Sequence, residues 1–216
     1  MLGAHLDSTH GATGATDNAI GVGVCLEVMR ILQEVGAKPR RTIRVALWDG
    51  EEQGLMGSRA YVKRHLAPSQ DANERPQNEN VYAYFNLDNG AGRVRGVWAQ
   101  GNLGAMPLLA DWLSTVSDLG AGTVGRRSVG GSDHLAFESV GVPGFQFMQD
   151  RLEYNSRSHH STMDLFDRIQ PEDAAQMVAA VAAVVYSAAN DSRPMARKGL
   201  PTRLRPPAPI RWGGRQ

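Results

Sequence analysis

Residues 42–52, with the sequence TIRVALWDGEE, join a strand to a pair of adjacent carboxylates. The first seven of them, residues 42–48, combine β-branched and apolar side chains and predict a buried strand. A two-residue turn follows, and Glu51 and Glu52 come directly after it. An α/β scaffold presents its reactive groups in loops at the carboxyl ends of strands. This stretch therefore predicts a sheet and also the edge of the sheet that carries a site.

Strands and helices alternate along the rest of the chain. Apolar residues recur at helical spacing between residues 19 and 35, and a glycine follows. A proline and two acidic residues open another helix at residue 171. The alternation predicts an α/β domain with three layers, α/β/α, and a mainly parallel central sheet. We predict strands over residues 1–4, 42–48, 81–87, 94–99 and 143–148, and helices over residues 19–35, 55–65, 106–116 and 171–189.

The composition is that of an ordinary globular domain. The chain has 216 residues, of which 42% are hydrophobic and 21% charged, so it can form one domain with a sizeable core. The net charge of +1 gives no support to a nucleic-acid partner. Residues 193–216 differ, with seven Lys or Arg, five Pro and no acidic residue. We predict a domain over residues 1–192 and a basic, proline-rich extended tail over residues 193–216, whose simplest interpretation is a solvated end.

Imidazoles and carboxylates follow several of the predicted strands. Zinc binds imidazole nitrogen and carboxylate oxygen, and two zinc ions can share one carboxylate. The chain supplies such a set. His5 and Asp88 would hold one metal, Glu52 and His160 would hold the other, and Asp17 would bridge them. The spacing thus permits a centre with two zinc ions.

Two further carboxylates lie next to these candidate ligands. Glu51 would take a proton from the attacking water and pass it to the leaving amine. Asp7 would orient the imidazole of His5 by contacting the side of the ring that does not bind the metal. Five residues are predicted to line the substrate pocket: Tyr154, Ser132, Asp133, His134 and His159.

Each of these residues also has a simpler interpretation. A lone His5 is more often a core histidine, a Glu-Glu pair is more often a solvated helix start, and Asp88 alone resembles a turn residue. Tyr154 is either a donor to the developing oxyanion or a structural tyrosine. Ser132 or Asp133 would equally serve as a helix N-cap. His159 is interpreted as supporting the site rather than binding metal.

The chain begins close to the first candidate ligand. It opens MLGAHLD, already within a predicted strand, and no signal peptide precedes it. No stretch is long or apolar enough to span a membrane, so no membrane partner is predicted. Because a domain rarely begins at its site, we expect Met1 to be an internal methionine and an N-terminal portion to be missing.

Five motifs together resemble those of the co-catalytic zinc exopeptidases, the family of bacterial leucyl aminopeptidases, glutamate carboxypeptidase and carboxypeptidase Q. The motifs are GAHLDS at residues 3–8, GATDNA at 14–19, LWDGEEQGLMGS at 47–58, NLD at 86–88 and HSTMD at 160–164. The stretch GVPGF at 141–145, with the double histidine at 159–160, is most similar to the carboxypeptidase Q branch.

The resemblance implies a zinc-exopeptidase-like fold whose N-terminal elements are missing here. It implies two zinc ions per chain, the ligand set given above, Glu51 as general base and a cis peptide bond after Asp17. It also suggests a periplasmic or secreted location for the full-length protein. Thr9 departs from the family pattern, which often has an aromatic residue there.

These features favour a zinc-dependent exopeptidase that hydrolyses terminal peptide bonds or dipeptides. The choice between aminopeptidase and carboxypeptidase or dipeptidase stays open, as does a homodimer. One alternative is a transferase like glutaminyl cyclase, which would use a single zinc ion. Another is an inactive, truncated remnant that acts at most as a binding domain.

Overall fold

A six-stranded sheet forms the centre of the computed structural model, which describes residues 1–9, 11–67 and 77–199. Its strands lie in the order β2-β1-β3-β6-β4-β5. All neighbouring pairs are parallel except β4 and β6. The sheet is therefore mainly parallel, as predicted. The strands are β1 (Leu2–His5), β2 (Val45–Trp48), β3 (Tyr84–Asn86), β4 (Val94–Trp98), β5 (Thr123–Gly125) and β6 (Gly144–Gln149).

Helices cover both faces of the sheet and complete the three layers. Helices α1, α3 and α5 pack on one face, and α2 and α4 pack on the other. The predicted α/β/α architecture is thus confirmed. The helices are α1 (Ile20–Glu34), α2 (Met56–His65), α3 (Met106–Ser114), α4 (His134–Glu138) and α5 (Pro171–Asn190).

The two faces of the sheet bury separate hydrophobic cores. Successive side chains of a strand point to opposite faces. Phe85 of β3 accordingly packs in the larger core with α1, α3 and α5, while its neighbour Tyr84 belongs to the smaller core. There the Tyr84 ring stacks on Phe137 of α4, with ring centroids 4.0 Å apart. The cores fix both helical layers relative to the strand ends.

Differences from the predicted elements are confined to short or irregular segments. Strand β2 begins at Val45 rather than residue 42, and β3 covers only three of the seven residues predicted. Strand β5 was not predicted at all, because three residues that include a glycine give no readable period of two. No described helix is long and apolar enough to cross a membrane.

The segment after α5 is bound to the domain as far as it is described. Residues 193–199 form no regular element. Their side chains nevertheless reach back to the domain: the Arg197 guanidinium donates to the Val81 carbonyl at 2.7 Å, and the Lys198 ammonium pairs with Glu138 at 2.5 Å. The rest of the predicted tail, residues 200–216, lies outside the described residues.

Gly3 allows β1 to lie close to its neighbours. A Cβ at this position would be 2.5 Å from the Tyr84 hydroxyl and 2.6 Å from the Ala46 carbonyl oxygen. Contacts of this length require the backbone of β2 or the buried tyrosine to move. Because Gly3 stands two residues before His5, the same close approach also fixes the strand that ends at the site.

We predict that Gly3→Ala lowers the free energy of unfolding by about 1–3 kcal/mol, since it overpacks a closed core. Gly23 of α1 provides the matched control, because a Cβ there meets nothing within 4 Å. Gly23→Ala should stabilise the chain by about 0.5–1 kcal/mol through helix propensity. Urea unfolding of both variants measures the difference. A Gly3→Ala protein as stable as the wild type would contradict the steric argument.

Candidate metal centre

The register of the parallel strands brings His5 and Asp88 to the same level. Gly3 of β1 pairs with Asn86 of β3, so the residues two positions further on, His5 and Asp88, stand opposite each other just beyond the ladder. The His5 Nε2 and an Asp88 carboxylate oxygen are 3.7 Å apart, and both side chains are buried. One imidazole and one carboxylate thus meet at the carboxyl edge of the sheet.

Asp17 lies between two imidazoles. It is part of the irregular turn Ala15–Ala19 that precedes α1, and its peptide bond to Asn18 is cis, as the resemblance implied. One carboxylate oxygen of Asp17 is 3.1 Å from His5 Nε2, and the other is 3.6 Å from His160 Nε2. A carboxylate with an imidazole at each oxygen has the arrangement that a bridging ligand needs.

Glu52 and His160 form the second half of the cluster. One Glu52 carboxylate oxygen is 2.9 Å from His160 Nε2. The other oxygen, Oε1, is buried and has no hydrogen-bond partner among the described residues. A buried carboxylate oxygen without a donor is costly unless a cation or another donor meets it. The His160 side chain is 50% exposed, so this half of the cluster opens to solvent.

The cluster concentrates negative charge. Burial opposes protonation of His5, but its hydrogen bonds to Asp17 and Asp88 outweigh burial and raise the pKa of His5 to about 12. Burial and the neighbouring charge of Asp88 raise the pKa of Glu51 to about 8. Both shifts favour added positive charge at this place. A divalent cation carries such charge and competes with protons for the same nitrogen and oxygen atoms.

Three sets of donor atoms within the described ranges lie close enough together to hold a metal ion, each with all atoms within 4.8 Å of one another. They are His5-Asp17-Asp88, His5-Glu51-Glu52 and Asp17-His159-His160. All donors are imidazole nitrogens or carboxylate oxygens, the ligand types that zinc takes in catalytic sites. The residues present therefore fit a zinc centre.

Asp7 contacts the imidazole of His5 and also the turn that carries Glu51 and Glu52. His5 Nδ1 is 2.9 Å from the backbone carbonyl oxygen of Asp7, and the Asp7 carboxylate lies farther from the ring, at 3.6 Å. The carboxylate instead accepts the backbone N–H groups of Glu51 and Glu52, both at 3.1 Å. Asp7 thus orients the imidazole through its backbone and holds the Glu51-Glu52 turn through its side chain.

Two buried polar side chains, Ser132 and Gln146, donate hydrogen bonds to Asp88. The Ser132 hydroxyl donates to one Asp88 carboxylate oxygen at 2.5 Å, and the Gln146 amide donates to the Asp88 carbonyl. The Asn86 amide in turn donates to Ser132 at 2.7 Å and to Gln146 at 2.8 Å. Neither Asn86 nor Gln146 was predicted to support the site. A polar residue inside an otherwise apolar strand was the available signal.

Three of the predicted pocket residues do not line an open pocket. Ser132, Asp133 and His134 are fully buried, so a substrate cannot touch them without rearrangement. Ser132 supports Asp88 instead, and the imidazole of His134 contacts the Val129 carbonyl at 3.0 Å. Burial raises the pKa of Asp133 to about 6, although the nearby Ser58 hydroxyl opposes the rise. These residues were predicted to line the pocket because nothing in the sequence of their loop indicates that it is buried.

Tyr154 and His159 both lie near Asp17. Tyr154 is buried, and its hydroxyl faces Asp17, which lies within the cluster. His159 is 39% exposed and stacks on His160, with ring centroids 3.7 Å apart. The two ring planes are 27° apart, and His159 Nε2 lies 3.9 Å from an Asp17 carboxylate oxygen, compared with 3.6 Å for His160 Nε2. His159 thus packs against His160 at the opening of the cluster, and its supporting role stays a prediction.

Asp164 was not predicted as a site residue, although it ends the motif HSTMD at residues 160–164. In the structure its buried carboxylate accepts the backbone N–H groups of Thr16 and Asp17 at 2.7 and 3.0 Å. It thus connects the two loops that carry Asp17 and His160.

The chain is similar in sequence and fold to known peptidases. It is 29% identical to carboxypeptidase Q of Bos taurus over 187 residues, which are 86% of this chain and 38% of that protein. A peptidase M28 precursor from Shewanella amazonensis superposes with a TM-score of 0.79 at 31% identity, over 94% of this chain and 43% of the other. A zinc aminopeptidase from Bacillus subtilis gives a TM-score of 0.70 at 23% identity, over 91% and 48%.

The chain thus spans less than half the length of these relatives. The family model named Peptidase family M28 matches residues 1–185, which is most of the chain. The match includes every residue of the cluster. The chain belongs to peptidase family M28.

Proposed function

We propose that this chain carries the active centre of a zinc-dependent exopeptidase that hydrolyses terminal peptide bonds or dipeptides. The main support for this proposal is the position of Asp17 between His5 and His160, with one carboxylate oxygen toward each imidazole. Asp88 completes the first half of the centre, and Glu52 completes the second. These five residues would hold two zinc ions, with Asp17 shared between them. Membership of the M28 family and the zinc aminopeptidase among the similar structures support the proposal.

Bound zinc supplies Lewis-acid chemistry, since it polarises a carbonyl oxygen and makes water more acidic. The chain's own contribution to proton transfer is Glu51. Its carboxylate is buried and within 4.8 Å of donor atoms of His5 and Glu52, and Asp7 holds its backbone. Glu51 would accept a proton from the attacking water and donate it to the leaving amine nitrogen.

The exposure of the cluster indicates how the substrate approaches. His5, Asp17 and Asp88 are buried, whereas His159 and His160 are partly exposed. A peptide terminus would therefore enter past the paired histidines. The donor set serves removal of a residue from either terminus, so a panel of blocked and free dipeptides is the direct way to identify the terminus that is recognised.

We predict that purified protein contains two zinc ions per chain and loses hydrolysis when a chelator removes them. Elemental analysis gives the stoichiometry, and a dipeptide panel run on the same sample gives the activity. Restoring zinc should restore cleavage. A single zinc ion without hydrolysis would favour the cyclase-like alternative, and folded protein without zinc would favour a non-catalytic remnant.

We predict that Glu51→Gln lowers kcat by about 10²–10⁴-fold, the usual contribution of a general base, while zinc content stays unchanged. Glu52→Gln is the matched variant one residue away. It should lower zinc content as well as activity, because it removes the charge of a ligand. Zinc analysis and steady-state kinetics on both variants separate the two roles. Equal loss of zinc in both would contradict the assignment of Glu51.

A further inference from the structure

Two ligands of the proposed centre come from irregular segments that lie far apart in the sequence. Asp17 belongs to the turn Ala15–Ala19, and His160 follows the short turn Tyr154–Ser158. Neither ligand is part of a strand of the sheet, so the sheet register does not determine their separation. Other contacts must determine the 3.6 Å distance between the Asp17 carboxylate and His160 Nε2.

The side chain of Asp164 provides three of these contacts. One oxygen accepts the Thr16 backbone N–H at 2.7 Å and the Thr16 hydroxyl at 2.8 Å. The other oxygen accepts the Asp17 backbone N–H at 3.0 Å. Hydrogen bonds to a carboxylate are short and roughly twice as strong as neutral ones. The carboxylate is only 2% exposed, so water does not compete for them.

The backbone of Asp164 and a neighbouring serine extend the connection. The Asp164 carbonyl accepts the Thr13 N–H at 3.2 Å and the Thr13 hydroxyl at 2.9 Å. The Thr16 hydroxyl also lies 2.8 Å from the Ser158 hydroxyl. A hydroxyl has a single hydrogen. Thr16 therefore donates to Asp164 and accepts from Ser158, which joins both ends of the loop around His160 to the Asp17 segment.

No Lys or Arg among the described residues forms an ion pair with Asp164. Its charge is balanced by two backbone N–H groups and one hydroxyl of the Asp17 segment. Moving that segment away would leave a buried carboxylate without donors, which is strongly unfavourable. The carboxylate thus holds the segment in one position rather than merely touching it.

We propose that Asp164 is a positioning residue that couples the Asp17 and His160 loops and so sets the geometry of the second metal site. The proposal rests on the proposed function, because the coupling matters only if these two residues share a metal. Asp164 touches neither substrate nor the reacting atoms. It acts through the backbone of Asp17.

Asp164→Asn tests the coupling with little change of volume. The amide keeps one acceptor oxygen but presents its N–H₂ group to a backbone N–H. We expect zinc affinity, measured by chelator competition, to fall about 10–100-fold at the weaker of the two sites, as for other residues that support metal ligands. In metal-free protein, the amides of Thr16 and Asp17 should exchange hydrogen faster than in the wild type.

Asp191→Asn is the matched control. Asp191 is a largely buried carboxylate directly after the end of α5 that accepts the Trp112 indole N–H at 2.9 Å and pairs with Arg193 at 2.6 Å. The Asp191→Asn substitution should lower the Tm without changing zinc affinity. Thr16→Val is the milder second variant, since it removes the hydroxyl but keeps both backbone donors. It should weaken zinc binding less than Asp164→Asn does.

The outcomes separate this inference from the proposed function. Wild-type protein that binds no zinc would overturn both. Wild-type protein that binds two zinc ions, with Asp164→Asn binding them equally tightly, would overturn only the coupling. If Asp164→Asn fails to fold, unchanged zinc affinity and unchanged amide exchange in Thr16→Val would overturn it. Weaker zinc binding in the two loop variants, but not in Asp191→Asn, supports it.

Discussion

The structure depends on a crowding of carboxylates at one edge of a parallel sheet. The in-register strands β1, β2 and β3 all end there, and the loops behind them bring Asp7, Glu51, Glu52 and Asp88 together. Neighbouring carboxylates repel one another where little water screens their charges. The arrangement is stable only if donors and cations oppose that repulsion. Much of the polar structure around the cluster has this effect.

The opposing groups form two layers. Backbone and amide donors bind the carboxylates that face away from the centre, as the Glu51 and Glu52 N–H groups do with Asp7. His5 and His160 meet the carboxylates that face inward. The buried Glu52 Oε1 still lacks a donor among the described residues. The protein's own donors therefore pair the carboxylates that face away from the centre. The carboxylates that face inward are only partly paired, and a bound cation would complete their pairing.

The sequence predicted all five candidate ligands, including Asp17 and His160 outside the strands, but it did not predict the contacts by which neighbouring loops support them. His5, Glu52 and Asp88 could be placed together because each follows a strand, and the ends of parallel strands share an edge. The burial of His134 could not be predicted, since the path of its loop below the cluster depends on packing against β3 and β6. That Asp7 contacts His5 through its backbone carbonyl could not be predicted either, because which of its two groups accepts the imidazole N–H depends on backbone angles. Strand β5 was too short to give a pattern.

Asp164 shows most clearly why the remaining contacts escape a local pattern. It lies 147 residues from Asp17 in sequence, yet it accepts that residue's backbone N–H. A backbone donor carries no side-chain signature, so nothing in the residues around Asp17 indicates a buried carboxylate partner. The contact joins residues 147 positions apart, and the packing of the whole domain must offset the entropic cost of closing that loop. The geometry of the second half of the centre is thus a property of the whole domain, whereas the first half follows from the pairing of two strands.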